Sequence, residues 1–379
     1  MLSVVTLDKR WNDVGGRPSG FDYMRLTLAT LVVLTHTVII GEGRPAHAAI
    51  WEQPGVRSLH AMILPAFFAL SGFLVAGSLE RCRTLISFIG LRALRIAPAL
   101  VVETVLSAFL LGALFTTLPL KEYVTSREFF SYMLNMVGDV HYRLPGVFAR
   151  NPYPNFVNGQ LWTLPAELRC YLVLAILAGA SIVYRPKLLL PLVLVATALT
   201  PYYVSNVLRA DRMMTVSPEV LILAFLYGVI LFLNRKRAPW SAGVGVLAFA
   251  AAFICLAIPD MDAFAALPIA YVTVCIGLLN PPRRFLFAAD YSYGIFLYGY
   301  PIQQAVVAAL GPMPWWENMA LAFPIIVVFA GLSWHFVEKP ALRLRKTMIE
   351  LEDTAIEVVK TVPFGRFLLP YVGAPAKAA

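Results

Sequence analysis

The chain has 379 residues, of which 59% are hydrophobic and only 14% are charged. Soluble domains carry about 25% charged residues, so this composition excludes a soluble protein and predicts an integral membrane protein. The formal net charge is +9, but the basic residues lie in small clusters between apolar runs. That arrangement is typical of membrane topology signals, and it argues against a nucleic-acid-binding face.

The four cysteines lack the spacing of a metal site. Three of them lie in apolar runs and one in a basic loop: Cys170, Cys255, Cys275 and Cys82. We therefore predict neither a disulfide framework nor a metal centre.

Apolar runs long enough to cross a bilayer, which takes about 20 residues, occur about ten times. The predicted fold is therefore an all-α bundle of about ten transmembrane helices, with a polar N-terminal segment (1–21), a membrane domain (22–340) and an amphipathic tail (341–379). The first run has no small-residue cleavage pattern after it, so we expect it to be retained. The runs lie near residues 22–41, 59–79, 96–117, 161–184, 187–204, 216–233, 241–259, 261–280, 285–310 and 317–337.

Basic residues alternate between the connecting loops. The N-terminal segment, every second connection and the tail carry Lys and Arg, such as Arg235, Lys236 and Arg237 in the sixth connection, and the intervening loops carry fewer. Because cytoplasmic loops are enriched in Lys and Arg, the pattern predicts that both termini lie in the cytoplasm. It also predicts that the long loop 118–160 lies outside.

Two ionisable residues interrupt the first apolar run, Arg25 near its start and His36 eleven positions later. Eleven steps of 100° end about 20° past three full turns, so both side chains project from one helix face, about 16 Å apart along the axis. Arg25 is either a surface anchor or part of a site. His36 is either a hydrogen-bonded structural residue or a group that moves a proton, for which imidazole is suited near neutral pH.

Two arginines lie where the third run begins, at positions i and i+3. Arg92 and Arg95 therefore share one helix face at the predicted cytoplasmic mouth. Paired guanidinium groups can bind phosphate oxygens bidentately; the alternative is that both are topology anchors. Glu103 lies eleven residues after Arg92, at about the depth of His36, and is either its partner or a buried structural carboxyl.

The fourth run and the loop before it combine a carboxylate with aromatic and amide side chains. Glu167 lies about 10 Å from the predicted outer surface, which matches the depth of His36; the alternative partner for its charge is Arg169. The loop ends in ARNPYPNFVNGQLW, which contains Tyr153, Asn158 and Trp162. Sugar-binding surfaces commonly pair flat aromatics with amides, so these three are candidate substrate contacts; the alternative is a solvated loop with an interfacial aromatic belt.

Six stretches, in this order, resemble the motifs of the acyltransferase 3 family over about residues 18–345. That family includes bacterial O-antigen, exopolysaccharide and nodulation-factor acetylases. The stretches are R-x10-H in the first run (Arg25, His36), FFALSGFL in the second, R-x-x-R entering the third (Arg92, Arg95), LWTLPAE (Trp162, Glu167), YSYGIFLYGYP, and a terminal E-K-P at 338–340.

The resemblance implies a multi-pass enzyme of the bacterial inner membrane that moves an acyl group, usually acetyl, from cytoplasmic acyl-CoA to a hydroxyl of a cell-surface or lipid-linked glycan. An alcohol attacks weakly unless a base accepts its proton, and His36 would be that base. Glu167, or failing that Glu103, would support its charged form during attack. Arg92 and Arg95 would hold the phosphates of acetyl-CoA.

Arg25 would then line the path of acyl-CoA or stabilise developing charge. The alternative function is a secondary transporter or flippase, which also has about ten spans and a buried proton relay. Lipopolysaccharide, exopolysaccharide and lipochito-oligosaccharide are all candidate acceptors, and acetyl and succinyl are both candidate acyl groups.

Overall fold

The computed structural model describes residues 5–208, 216–285 and 289–361, and within these ranges the chain forms helices, turns and isolated β-bridges but no strand. The predicted all-α class is confirmed for this part of the chain. The α-helices are α1 (Leu7–Asp13), α2 (Ser19–Glu42), α3 (Arg44–Trp51), α4 (Val56–Arg81), α5 (Leu85–Val105), α6 (Gly112–Phe115), α7 (Leu120–Thr125), α8 (Arg127–Met133), α9 (Leu164–Gly179), α10 (Pro186–Tyr202), α11 (Pro218–Leu233), α12 (Ala242–Ala257), α13 (Ala266–Gly277), α14 (Ser292–Leu310), α15 (Trp315–Ser333) and α16 (Lys339–Thr361).

Six helical runs in the described ranges are long and apolar enough to cross a membrane. Three further helices, α11, α12 and α13, are apolar but have at most 16 residues. At 1.5 Å per residue, 16 residues extend about 24 Å, less than the roughly 30 Å of hydrocarbon. The total of about ten spans therefore stays a prediction. The six runs are Ser19–Glu42, Val56–Arg81, Leu85–Phe115, Gly159–Gly179, Lys187–Val207 and Trp315–Thr354.

Helices α4 and α11 pack closely because each offers a glycine to the other. A Cβ atom on Gly72 would lie 2.0 Å from the carbonyl oxygen of Phe225, and one on Gly228 would lie 2.1 Å from that of Ala69. Small residues let helix backbones approach in this way. The FFALSGFL stretch is thus a packing surface, as its small residues indicate.

The loops gather at two opposite ends of the bundle. At one end, Arg235 between α11 and α12 contacts Asp8 of α1 at 3.0 Å and Glu80 at the end of α4 at 3.3 Å. At the other end, Arg57 at the start of α4 pairs with Asp262 before α13 at 3.2 Å. This grouping agrees with the alternation of basic loops, and the side of the membrane that each end faces stays a prediction.

Helix α5 begins at Leu85, eleven residues before the predicted start of the third span, because Thr84 caps it: its hydroxyl accepts the backbone N–H of Ser87 at 3.1 Å. Arg92 and Arg95 consequently lie two to three turns inside the helix. The C-terminal helix α16 crosses this end, where the Thr84 hydroxyl donates to Glu352 at 2.5 Å. The predicted tail is therefore helical as far as residue 361, and residues 362–379 lie outside the described ranges.

The long loop 118–160 is folded rather than merely solvated. It contains α7 and α8, and its side chains form a small hydrophobic core separate from that of the bundle. Gln304 of α14 fixes the end of the loop, because its side-chain amide donates to the carbonyls of Tyr153 and Phe156, both at 2.9 Å. The loop core consists of Tyr123, Phe129, Tyr132, Leu144, Val147, Phe148 and Val157, with Ala108 of the third span.

Candidate active site

His36 lines a cavity of about 270 Å³ at the end of the bundle that carries the long loop. Its half-buried imidazole meets the ring of Tyr300 on α14 edge to face, with 5.1 Å between ring centroids. Two predicted substrate contacts, Tyr153 and Trp162, line the same cavity. Phe156 of the same aromatic loop also lines it, and sequence reasoning did not assign a role to the other main lining residues, which are His47, His60, Gln160 and Tyr300.

Gly159 explains how the loop and α14 meet beside His36. A Cβ atom at Gly159 would lie 2.5 Å from Cζ of Tyr300, so only glycine lets the 3₁₀ turn Gly159–Thr163 lie directly on the tyrosine ring. Tyr300 is in turn held on α2, since the amide of Gln303, one turn further along α14, donates to the carbonyl of Val33 at 3.0 Å. The turn therefore fixes the ring that contacts His36.

Asn158, predicted as a substrate contact, is fully buried. Its amide donates to Oε1 of Glu103 at 2.8 Å and also to the hydroxyl of Tyr132. Ser107 donates to the same Glu103 oxygen. Asn158 thus joins the third span to the loop core rather than facing the cavity, and Glu103 is committed to that contact.

The structure does not bring Glu167 to His36. Oε1 of Glu167 accepts a hydrogen bond from the Tyr171 hydroxyl at 2.5 Å, one turn along α9. The positive charges that act on this carboxylate are those of Arg95 and Arg92. His36 has instead His60 and His47 as its titratable neighbours, and among the described residues no carboxylate lies within hydrogen-bond distance of it. Depth along a helix was a poor guide here because it does not specify the direction in which α9 presents its carboxylate.

A second cluster, here the arginine–carboxylate cluster, lies at the opposite end of α2 around Asp290. Its carboxylate accepts from Arg25 at 2.9 Å and from Arg95 at 2.7 Å, and Arg95 also contacts Glu338 at 2.9 Å. Two guanidinium groups therefore share one carboxylate oxygen of Asp290, and their positive charges favour its ionised form.

Arg25 and His36 both face the stretch between Asp290 and Tyr300, which confirms that they share one helix face. The two clusters are consequently about 16 Å apart along α2. Asp290 and Tyr300 are the residues that sequence reasoning missed. The available signal was the stretch DYSYGIFLYGYP, in which they stand ten positions apart, close to the spacing of Arg25 and His36.

Arg92 differs from Arg95 in its contacts. Arg95 is committed to two carboxylates, whereas Arg92 donates to the hydroxyl of Ser78 at 3.1 Å, and its buried Nε has no hydrogen-bond partner among the described residues. Arg92 therefore has donors left for a further anionic group, and Arg95 has few.

Five of the six motif stretches contribute residues to one or both of these clusters, namely Arg25 and His36, Arg95, Trp162, Tyr300 and Glu338. The sixth, FFALSGFL, packs against α11. A family model described as an acyltransferase domain matches residues 19–337. The chain belongs to the acyltransferase 3 family. It is accordingly an acyltransferase.

Two relatives match most of this chain. It is 25% identical over 352 residues to an O-acetyl transferase of Shigella phage Sf6, a match that covers 88% of this chain and 98% of the relative. It is 28% identical over 375 residues to Nodulation protein 10 of Rhizobium leguminosarum bv. viciae, a match that covers 88% of this chain and 96% of the relative. No solved structure matches the chain.

We expect Gly159→Ala to slow acyl transfer by about 100-fold, because its Cβ would displace the Tyr300 ring that contacts His36 and misplacement by about 1 Å has effects of this size. The measurement is the transfer rate of the purified acyltransferase, with thermal unfolding recorded in parallel. Gly245→Ala is the matched control, since a Cβ there meets open space. A Gly159→Ala enzyme with the wild-type rate would show that the turn does not position Tyr300.

Proposed function

We propose that this acyltransferase moves an acetyl or other short acyl group from cytoplasmic acyl-CoA to a hydroxyl of a cell-surface or lipid-linked glycan, with His36 as general base. The observation that carries the proposal is that His36 lines a cavity with Tyr153 and Trp162, while the same helix face leads, about 16 Å away, to a cluster rich in arginines. An acceptor and a donor would reach one another along this face from opposite ends.

The acceptor enters the His36 cavity, where aromatic faces suit the apolar side of a sugar ring. His36 accepts the proton of the attacking hydroxyl as its oxygen bonds to the thioester carbonyl carbon. The carbon–sulfur bond then breaks, and CoA leaves as a thiolate that takes up a proton.

The acyl-CoA donor binds at the arginine–carboxylate cluster. Arg92 contacts a phosphate of acyl-CoA with the donors it has left, and Arg25 lines the path of the acyl chain beside Asp290. Glu167 places a carboxylate near Arg95 and Arg92 rather than supporting His36. The end that carries this cluster faces the cytoplasm of a bacterium, and the chain lies in the inner membrane with both termini inside.

Thioester consumption tests the function. Purified full-length protein in lipid nanodiscs should release free CoA from acetyl-CoA only when size-fractionated surface polysaccharide of the source organism is present. Mass spectrometry of that polysaccharide should show a gain of one acetyl increment per CoA released. Transport of acetyl-CoA that needs no acceptor and releases no free CoA would instead support the alternative function, a secondary transporter.

Arg92→Ala should raise the KM for acetyl-CoA about tenfold, since a hydrogen bond to a charged group contributes about 1.5–3 kcal/mol, and should leave the KM for the acceptor unchanged. Steady-state kinetics with each substrate varied in turn measure both values. Lys236→Ala is the matched control: it removes an exposed positive charge from a loop at the same end of the bundle. Equal acetyl-CoA saturation in both variants would mean that Arg92 serves only as a topology anchor.

A further inference from the structure

A second and larger cavity, of about 860 Å³, adjoins the His36 cavity on its outer side. Both cavities share His47, His60 and Tyr153 as lining residues, so they are neighbouring compartments of one opening. The larger cavity lies between α3, the start of α4 and the loop that joins α12 to α13. None of the sequence motifs contributes to this outer part.

The lining of the larger cavity mixes aromatic rings with hydrogen-bonding groups of both charges. Trp51 lies over His60, with 4.9 Å between ring centroids, and the guanidinium of Arg44 lies 5.4 Å from the ring of Tyr153. Charges of opposite sign nearly balance, since Arg44 and Arg57 face three carboxylates. Those carboxylates belong to Glu52, Asp260 and Asp262.

This balance favours a neutral, hydroxyl-rich ligand over an anion or a cation. Sugar hydroxyls donate to carboxylates and accept from guanidinium groups, and sugar rings pack on aromatic faces. His47 is suited to the same task, because burial lowers the pKa of its imidazole, against the opposing effect of Glu52. The neutral imidazole both donates and accepts a hydrogen bond.

Asp260 stands at the far wall of this cavity in an unusual backbone conformation. Its φ is +63°, in the left-handed region that non-glycine residues rarely occupy. Its carboxylate accepts from the hydroxyl of Ser205 at 3.3 Å. The Arg57–Asp262 ion pair, two residues further along, anchors the same loop to α4 at 3.2 Å.

We propose that the larger cavity is a distal acceptor subsite that binds the neutral sugar units next to the one acylated beside His36. The inference rests on the proposed function. The larger cavity has about three times the volume of the His36 cavity. If the smaller cavity takes one sugar unit, the larger takes about three more.

The test uses fragments of the source organism's surface polysaccharide, fractionated to one and four sugar units, with the purified full-length protein. The KM of the wild type should be at least tenfold lower for the four-unit fragment. Asp260→Asn, which tolerates the same backbone conformation, and Trp51→Leu should each raise the four-unit KM relative to the one-unit KM about tenfold. Glu122→Ala, an exposed acidic residue outside both cavities, should leave this ratio unchanged.

A wild-type KM that does not depend on fragment length, or variants that change both KM values equally, would overturn the subsite. Calorimetric titration of the four-unit fragment into His36→Ala protein separates this failure from that of the proposed function, because it needs no turnover. Binding that Asp260→Asn weakens about tenfold supports the subsite even if no CoA is released. Absence of binding, with CoA still released by the wild type, overturns the subsite alone.

Discussion

His36→Ala should leave the protein folded and inserted but reduce acyl transfer by about 10²–10⁴, the usual effect of removing a positioned acid–base group. His36→Gln should be nearly as damaging, because an amide keeps hydrogen bonding but cannot accept the proton. Both substitutions keep the contacts of Tyr300 with Gly159, so the cavity should persist. The measurement is acceptor-dependent release of CoA, with acetyl-CoA affinity recorded separately.

His141→Gln is the matched control for this experiment. His141 lies in the long loop beside Asp139, lines neither cavity, and is partly exposed. It should retain wild-type activity. A His36→Gln enzyme that works near the wild-type rate would make His36 a structural residue. The base would then have to be sought at another residue of the cavity, since Glu103 and Glu167 are committed elsewhere.

Arg95→Ala should destabilise the protein severely, in contrast to Arg92→Ala. Arg95 bridges Asp290 and Glu338, and the Glu338 side chain is only 2% exposed. Removal of one partner of a buried ion pair costs about 3–5 kcal/mol, because it leaves an uncompensated charge in a poorly solvated place. We expect a lower unfolding temperature in detergent and a smaller yield of monodisperse protein.

The double variant Arg95→Ala with Glu338→Gln separates this effect from a loss of donor binding. Neutralising Glu338 removes the unpaired charge, so part of the lost unfolding temperature should return, while the acetyl-CoA KM should not improve. Arg92→Ala provides the comparison on the same helix, since the Arg92 side chain forms no described ion pair and donates a hydrogen bond to the Ser78 hydroxyl. Arg95→Ala protein as stable as the wild type would contradict the structural role of this ion-pair network.

Together these variants distinguish the two clusters that α2 connects. The His36 cluster consists of aromatic and imidazole groups around a cavity. The arginine–carboxylate cluster consists of charged groups that largely pair with one another. Loss of His36 should therefore affect chemistry, and loss of Arg95 should affect folding first. Arg92 has a buried Nε with no partner among the described residues, so its loss should affect the binding of acetyl-CoA.

The sequence by itself determined the membrane class and the common helix face of Arg25 and His36. These features depend on local composition and on the 3.6-residue period, which a linear sequence displays directly. The family also followed from the sequence, because its motifs are short stretches whose order is visible along the chain.

Only the tertiary structure decided which of these residues meet. Glu167 and His36 have similar estimated depths, yet α9 presents Glu167 to Tyr171 and the arginines. Asn158 is buried and donates a hydrogen bond to Glu103, and Arg95 forms ion pairs with Asp290 and Glu338. The physical reason is that the period of a helix specifies which side chains share a face, while the neighbour that this face meets depends on how helices far apart in sequence pack together.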